Sequence, residues 1–179
     1  MDHMFVGWLM NYFNTTDRTL SVHGRKFTIT PEDVGVLLGI RSTGVVPRVD
    51  GPTEEGSNFG VELGIADDGN LTIESVKNAL KNHSGDGDDF KKAFVLLAMA
   101  AMLLPGTKPR VRSNLFHLVR DMSGMENFNW AAMALDHLVD GVRNRQKKGQ
   151  KNIKGCLFIL MVRFFNFVLL LVFAITPKS

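Results

Sequence analysis

DDFKKAFVLLAMAAMLL, residues 88–104, is the strongest helix signal in the chain. Acidic residues at its start suit the positive end of a helix dipole, and its Leu, Met and Ala body has high helix propensity. Pro105 and Gly106 follow, and proline cannot continue a helix. The stretch therefore predicts a core helix that ends at Leu104.

Two further helices are predicted downstream of this core helix. Ser113 and Asn129 have side chains that can cap helices over residues 114–122 and 130–142. In the second helix one face is apolar and begins with Trp130, which we expect to be a buried anchor. Gly141 or the basic residues after it should end that helix. A last apolar element is expected from about Ile153 to Thr176.

Upstream, residues 3–13 predict a short helix, and residues 20–29 alternate apolar and polar around His23 and Gly24. That alternation is typical of a two-stranded hairpin. Thr30 and Pro31 then offer an N-cap hydroxyl and a proline at the first helical position. They predict a helix that ends at Gly39.

Residues 41–70 are rich in glycine and acidic residues and are predicted to form a long surface loop, and residues 72–82 to form a helix. The expected fold is mainly α, an irregular helical domain with a small N-terminal β-hairpin and a very apolar C-terminal helix. The predicted divisions are a helical region over residues 1–155 and the apolar helix over residues 156–179.

The charge of the chain is unevenly distributed. The net charge is +3, but residues 1–100 carry nine basic and fourteen acidic side chains, whereas residues 101–179 carry twelve and four. Such an asymmetry is compatible with a nucleic-acid, lipid or acidic protein partner, and equally with a dipolar surface that has none.

The single cysteine excludes an internal disulfide framework and fits a reducing compartment. The N-terminus predicts no secretory signal.

Three stretches in order resemble the plant mobile domain, also called the aminotransferase-like plant mobile domain. They are FTITPEDVGVLLGI at residues 27–40, the apolar helix at residues 94–105 followed by FNWA at residues 128–131, and IKGCLFIL at residues 153–160. The chain resembles a short or truncated member, because relatives continue past the Gly-Cys helix with further helices.

The resemblance implies a transposon-derived, non-enzymatic domain that acts in the nucleus through protein partners, in silencing, gene expression or genome stability. It also implies a plant serine/threonine phosphatase as one partner. The aminotransferase-like label implies no transamination, and no lysine stands in a context that suits pyridoxal phosphate.

Catalytic, cofactor and metal sites are not predicted. The five histidines include no pair at metal-binding helical spacing, and His117 and His137 are expected on polar helix faces. Residues 66–74 fail as a calcium loop because carboxylates are missing at the required positions. Cys156 begins an apolar run, where burial should raise the pKa of its thiol. No nucleophile–base set can be assembled.

A basic run at residues 143–154 holds six cations and no acid. It could serve nuclear import or contact a partner or nucleic acid, or it could be only a solvated interhelical loop. It contains no aromatic residue on which a base could stack. Its cations are Arg143, Arg145, Lys147, Lys148, Lys151 and Lys154.

The C-terminal segment leaves a second interpretation open. Residues 157–176 are apolar apart from Arg163 and Asn166, and twenty such residues can cross a hydrocarbon core of about 30 Å. The alternative to a nuclear interaction domain is therefore a tail-anchored endomembrane protein with a cytosolic helical head. A strongly apolar core helix explains the same residues.

Overall fold

The computed structural model describes residues 3–22, 24–51, 58–65, 71–82, 87–149 and 154–175, with side chains from Met4 to Leu170 within those ranges. The predicted mainly helical fold with a small N-terminal sheet is confirmed. The helices are α1 (His3–Tyr12), α2 (Pro31–Leu38), α3 (Phe59–Glu62), α4 (Ile73–Asn82), α5 (Asp88–Ala98), α6 (His117–Arg120), α7 (Trp130–Lys148) and α8 (Leu157–Ile175).

The N-terminal sheet has three antiparallel strands: β1 (Phe13–Asn14), β2 (Thr19–Val22) and β3 (Arg25–Thr28). The predicted hairpin is β2–β3, in which Val22 pairs with Arg25. Gly24 has a φ of +77°, a conformation that glycine adopts at little cost; His23 lies outside the described residues. The two-residue strand β1 was not predicted, because a pair that short has no alternation to detect.

Helix α2 begins as its sequence predicts. The Thr30 hydroxyl accepts a hydrogen bond from the Asp33 amide at 3.2 Å, and the Asp33 carboxylate accepts one from the Thr30 amide at 2.9 Å. This reciprocal capping box satisfies two amides that the helix itself cannot satisfy. Gly39, with a φ of +65°, ends the helix in the left-handed conformation.

Helix α7 is the centre of the core. Nine of its residues between Ala131 and Val142 are buried, and it contacts α1 and α2. The Asn129 side chain caps it by accepting a hydrogen bond from the Ala132 amide at 2.8 Å. Of the two predicted ends, Gly141 is wrong and the basic run is right: the helix continues to Lys148, and Gly149 ends it with a φ of +61°.

Gly141 serves close packing instead of helix termination. A Cβ atom at this position would lie 2.0 Å from the Lys154 carbonyl oxygen. Gly155, where the chain crosses back over α7, has a φ of +103° and would place a Cβ atom 2.6 Å from the Leu138 Cα. The two glycines allow this crossing to approach α7 at backbone contact distance.

The predicted helix at residues 114–122 is wrong in length and in its cap. Residues Ser113–Leu115 form a 3₁₀ turn without a side-chain cap, and α6 covers only His117–Arg120. The Asp121 carboxylate accepts a hydrogen bond from the Ser123 amide at 2.9 Å. This local bond offers the backbone an alternative to the helix and ends it early.

The segment at residues 41–70 is mostly exposed where it is described, as predicted, but part of it packs on the core. It contains α3, in which Phe59 is buried and packs on Phe116 with ring centroids 4.8 Å apart. Residues 52–57 and 66–70 lie outside the described part. A purely surface loop is therefore too simple a description.

Helix α8 begins at Leu157, four residues later than expected, and packs on α1 and α2. Arg163 forms a half-buried ion pair with Asp33 at 2.9 Å, while Phe164 packs edge-on against Trp8 and Phe167 stacks on Phe27. Across the described residues, no helix is long and apolar enough to cross a bilayer. The predicted span ends at Thr176, outside that part of the chain.

Candidate functional site

The predicted basic run does not form one interhelical loop. Arg143, Arg145, Lys147 and Lys148 lie on the last turns of α7, where cations interact favourably with the negative end of the helix. The structure therefore brings four of the six together. Lys154 lies in the crossing segment before α8, and Lys151 lies outside the described residues.

Two arginines of this group are used inside the fold. Arg143 donates to the Asp140 carboxylate at 2.7 Å and to the Thr15 carbonyl at 3.1 Å. The Arg145 guanidinium lies over α1, 3.6 Å from where a Cβ atom on Gly7 would be. Lys147 and Lys148 are exposed. The two lysines are therefore the part of the run best placed to meet a partner.

An apolar pocket of about 370 Å³ opens between α5, α7 and the turn that precedes α7. Among its lining residues Glu126 alone is charged. The lining is Ile40, Phe94, Val95, Ala98, Met99, Leu103, Met122, Met125, Glu126 and Trp130.

One wall of this pocket is a π-helical turn. Beyond Ala98 the expected core helix widens over Met99–Leu103, and the Leu104 amide donates to the Met99 carbonyl five residues back, at 2.7 Å. Such turns are rare and occur often at functional sites. Here the turn places Met99 and Leu103 on the same pocket wall. No feature of the Leu, Met and Ala sequence predicts the widening.

Trp130 also lines the pocket. It packs against the core as the predicted anchor, but it is half-buried and not fully buried. Its indole N–H donates to the Met125 carbonyl at 3.2 Å, and its ring packs edge-on against Phe128 with centroids 5.5 Å apart. Because Asn129 is the N-cap, Trp130 is the first residue of α7 and lies at the edge of the core. This position could have been deduced from the cap.

The pocket continues along α5. Phe94 is 57% exposed and also lines a second apolar depression of about 320 Å³, which Leu80, Phe90 and Leu97 help to form. The two depressions share Phe94 and are together called the Trp130 groove. Glu126 lies at one end of the groove, and Lys77 and Lys81 lie at the other.

A larger depression of about 560 Å³ lies between α4 and residues 63–65. Asparagine and aspartate side chains line part of it. Because its walls adjoin residues 66–70, which lie outside the described part, it supports no functional assignment.

His137 was expected on a polar helix face, but its side chain is half-buried. Burial, reinforced by the nearby positive charge of Arg112, lowers the pKa of His137 from 6.5 to about 4. The Pro105 carbonyl acts in the opposite direction by hydrogen bonding to the ring. The Nε2 atom of His137 and the Nε and Nη2 atoms of Arg112 are buried without a partner. The imidazole is consequently neutral at physiological pH.

The other residues considered as sites, His117 and Cys156, lie apart from the Trp130 groove. His117 is half-buried against Gly51, with Nε2 3.1 Å from the Arg48 carbonyl oxygen. Cys156 is buried, and burial raises the pKa of its thiol, as the apolar sequence around it predicts. Among the described residues no group of three or more His, Cys, Asp or Glu side chains could hold a metal ion.

Comparison with known families places the chain in a family. The model of a family described as a domain of unknown function, DUF8566, matches residues 1–161. The chain belongs to this family. No curated protein and no solved structure matches it. The matched residues include the whole Trp130 groove and the basic end of α7, and they stop within the second turn of α8.

Proposed function

We propose that this chain is a non-enzymatic interaction domain of the plant mobile domain kind. In this proposal it acts in the nucleus through protein partners, in silencing, gene expression or genome stability. The observation that carries the proposal is the Trp130 groove, an accessible apolar surface lined by aromatic and methionine side chains. Trp130 is held in place by its own hydrogen bond, which favours binding without rearrangement.

The groove suits the apolar face of a partner helix. Its walls are aromatic rings and methionine side chains, which adapt to the shape of inserted groups. Glu126 at one end favours a basic residue in the partner beside the inserted apolar side chains. A plant serine/threonine phosphatase is the partner class that the family resemblance implies.

The exposed lysines of α7 suit a second role in the same proposal. Lys147 and Lys148, on the last turn before Gly149, form a basic end that could be recognised for nuclear import or contact an acidic partner. Arg143 is already paired with Asp140. The import hypothesis therefore depends mainly on the two lysines.

Titration of the purified chain into a purified plant serine/threonine phosphatase tests the partner class. We expect Phe94→Glu, which places a carboxylate in the groove, to abolish binding. The matched control is Val61→Glu, since Val61 is a half-exposed helical residue outside the groove. Binding that survives Phe94→Glu would rule out the groove, and no binding by the unchanged chain would rule out this partner.

The exposed side of α8 favours a second candidate, the tail-anchored endomembrane protein with a cytosolic helical head. Phe165, Leu169 and Leu170, all on this helix, are each more than half exposed, and clustered exposed apolar side chains mark protein or membrane contact surfaces. Alkaline carbonate extraction of plant membranes tests it. Retention in the pellet supports an anchor, and complete release into the supernatant contradicts one.

A further inference from the structure

A second apolar groove opens where α8 begins. It has a volume of about 390 Å³, and Met102, Pro105 and Phe158 contribute to its walls. Phe158 is 49% exposed and Met102 is 45% exposed, so a ligand can reach both side chains from solvent. This groove shares no lining residue with the Trp130 groove. It is called the Phe158 groove.

Two exposed lysines lie beside the Phe158 groove, on segments that the fold joins. The Gly155 amide donates a hydrogen bond to the Pro105 carbonyl oxygen at 3.1 Å, and both residues line the groove. Lys154 directly precedes Gly155. Lys108 follows Pro105 in a turn that brings its carbonyl oxygen within 3.9 Å of where a Cβ atom on Gly106 would be. Each lysine is therefore within three residues of the groove lining, and both are exposed.

Two arginines extend this positive surface. Arg112 and Lys154 both lower the pKa of His137 through their charge, so both lie close to the same imidazole ring. Arg110 is two residues before Arg112 in an extended segment, where such residues leave the same face of the chain. Arg110 is exposed and Arg112 is half-buried.

No acidic side chain in the described part of the chain forms an ion pair with any of these four cations. Asp140, which also acts on His137, is already paired with Arg143 at 2.7 Å. Burial lowers the pKa of Arg112, and its Nε and Nη2 atoms are buried without a partner. The positive potential beside the groove is therefore available to an anionic ligand.

An exposed aromatic ring beside cations is the combination that binds single-stranded nucleic acid, because bases stack on the ring while phosphates meet the positive charges. A row of acidic side chains would pair with the cations but leave the ring uncovered. The basic run of the sequence contains no aromatic residue, and the fold places Phe158 close to it. We propose that the Phe158 groove binds single-stranded nucleic acid, with one base stacked on Phe158. The phosphates contact Lys108, Arg110 and Lys154.

The proposal does not depend on the protein partner proposed for the Trp130 groove, because the two grooves have separate linings. All the residues involved lie within residues 1–161, which the family model matches. Loss of phosphatase binding and loss of nucleic-acid binding would therefore be separate results.

Fluorescence anisotropy of the full chain with a labelled oligothymidine of about 20 nucleotides tests the charge contacts. Three phosphate contacts predict a slope of about −2 for the logarithm of the binding constant against that of the salt concentration. A triple change of Lys108, Arg110 and Lys154 to Gln should abolish binding. The matched control removes two lysines and one arginine that are exposed elsewhere, by changing Arg25, Lys26 and Lys81 to Gln. It should bind like the unchanged chain.

Replacing Phe158 tests the stacking contact. Phe158→Leu keeps an apolar side chain but removes the ring, so affinity should fall at least about fivefold while the salt slope stays the same. Phe158→Tyr keeps the ring and should restore the affinity. Circular dichroism checks that each variant keeps its helical signal.

Several results would overturn the proposal. The first is no binding of the oligothymidine at low salt, and the second is binding that either the triple change or Phe158→Leu leaves intact. Equally tight binding of polyglutamate would assign the basic surface to acidic proteins instead. Binding to phosphatidylcholine–phosphatidylserine vesicles in place of the oligothymidine would assign it to a lipid surface.

Discussion

At the scale of single residues, Trp130 connects the core to the surface. Trp130→Ala should lower the free energy of unfolding by roughly 1–3 kcal/mol, less than a fully buried tryptophan would cost, because one side of the ring faces the groove. Urea denaturation measures this cost. Trp130→Phe, which keeps most of the apolar contact, should recover much of it. An unchanged denaturation midpoint for Trp130→Ala would show that the ring does not pack as described.

His137 should make stability depend on pH. Its pKa is about 4 in the folded chain and near 6.5 when exposed, so the unfolded chain binds the proton more readily between these values. Stability is therefore complete above pH 6.5 and falls as the pH drops toward 4, by on the order of 2 kcal/mol. The groups around the ring are Arg112, Lys154, Asp140 and the Pro105 carbonyl.

Thermal melts of the unchanged chain and of His137→Gln between pH 7 and 4.5 measure this effect. The variant should lose less stability on acidification, since it has no imidazole to protonate. The same substitution at His117 should keep the dependence. Parallel curves for the unchanged chain and His137→Gln would show that another group controls the acid response.

At the scale of elements, the crossing of residues 154–155 over α7 depends on Gly141. Gly141→Ala should destabilise the chain by roughly 1–3 kcal/mol, because the added Cβ atom meets the Lys154 carbonyl oxygen at 2.0 Å. Gly7→Ala is the control. It also lies within a helix, but its Cβ atom would meet only the Arg145 side chain at 3.6 Å, so the gain in helix propensity should make it neutral or stabilising by up to about 1 kcal/mol. Equal changes in stability for Gly141→Ala and Gly7→Ala would contradict the close approach of residues 154–155 to α7.

Sequence patterns predict the elements whose signals are local. The caps at Thr30 and Asn129 act within three residues, so the starts of α2 and α7 could be read directly. Gly141 shows where local rules fail, because a glycine near a basic run resembles a helix end, whereas tertiary contact is what requires it here. The basic residues were found by composition, but their helical placement was not.

The Trp130 groove was beyond prediction for a related reason. Its walls bring Phe94 on α5 close to Met122 and Trp130. The periodicity of a sequence does not indicate which residues, far apart along the chain, come together in the fold. The π-helical turn that begins at Met99 also has no sequence pattern that predicts it. Trp130 itself was singled out, but as a core residue.

At the scale of the whole molecule, the two halves of α8 should behave differently on truncation. Ending the chain after Phe167 removes exposed Leu169 and Leu170 but keeps the contacts of Phe164 and Phe167 with the body, so soluble yield should rise. Ending it after Arg163 removes those two aromatic contacts as well and should lower the thermal midpoint. Differential scanning fluorimetry compares the two. Identical midpoints would show that Phe164 and Phe167 do not hold α8 on the domain.

Some contacts that close this fold join residues that the ribosome synthesises many seconds apart. Arg18 reaches Asp136 across 118 positions, and Gln146 donates to the Met10 carbonyl across 136. At 5–20 residues per second, a ribosome needs roughly ten seconds to pass from one end of such a contact to the other. Throughout that interval the apolar face of α1 has no helix to cover it. The nascent chain should therefore be a client of holding chaperones until α7 and α8 have emerged. Ribosome profiling of chaperone-bound nascent chains would locate the release point.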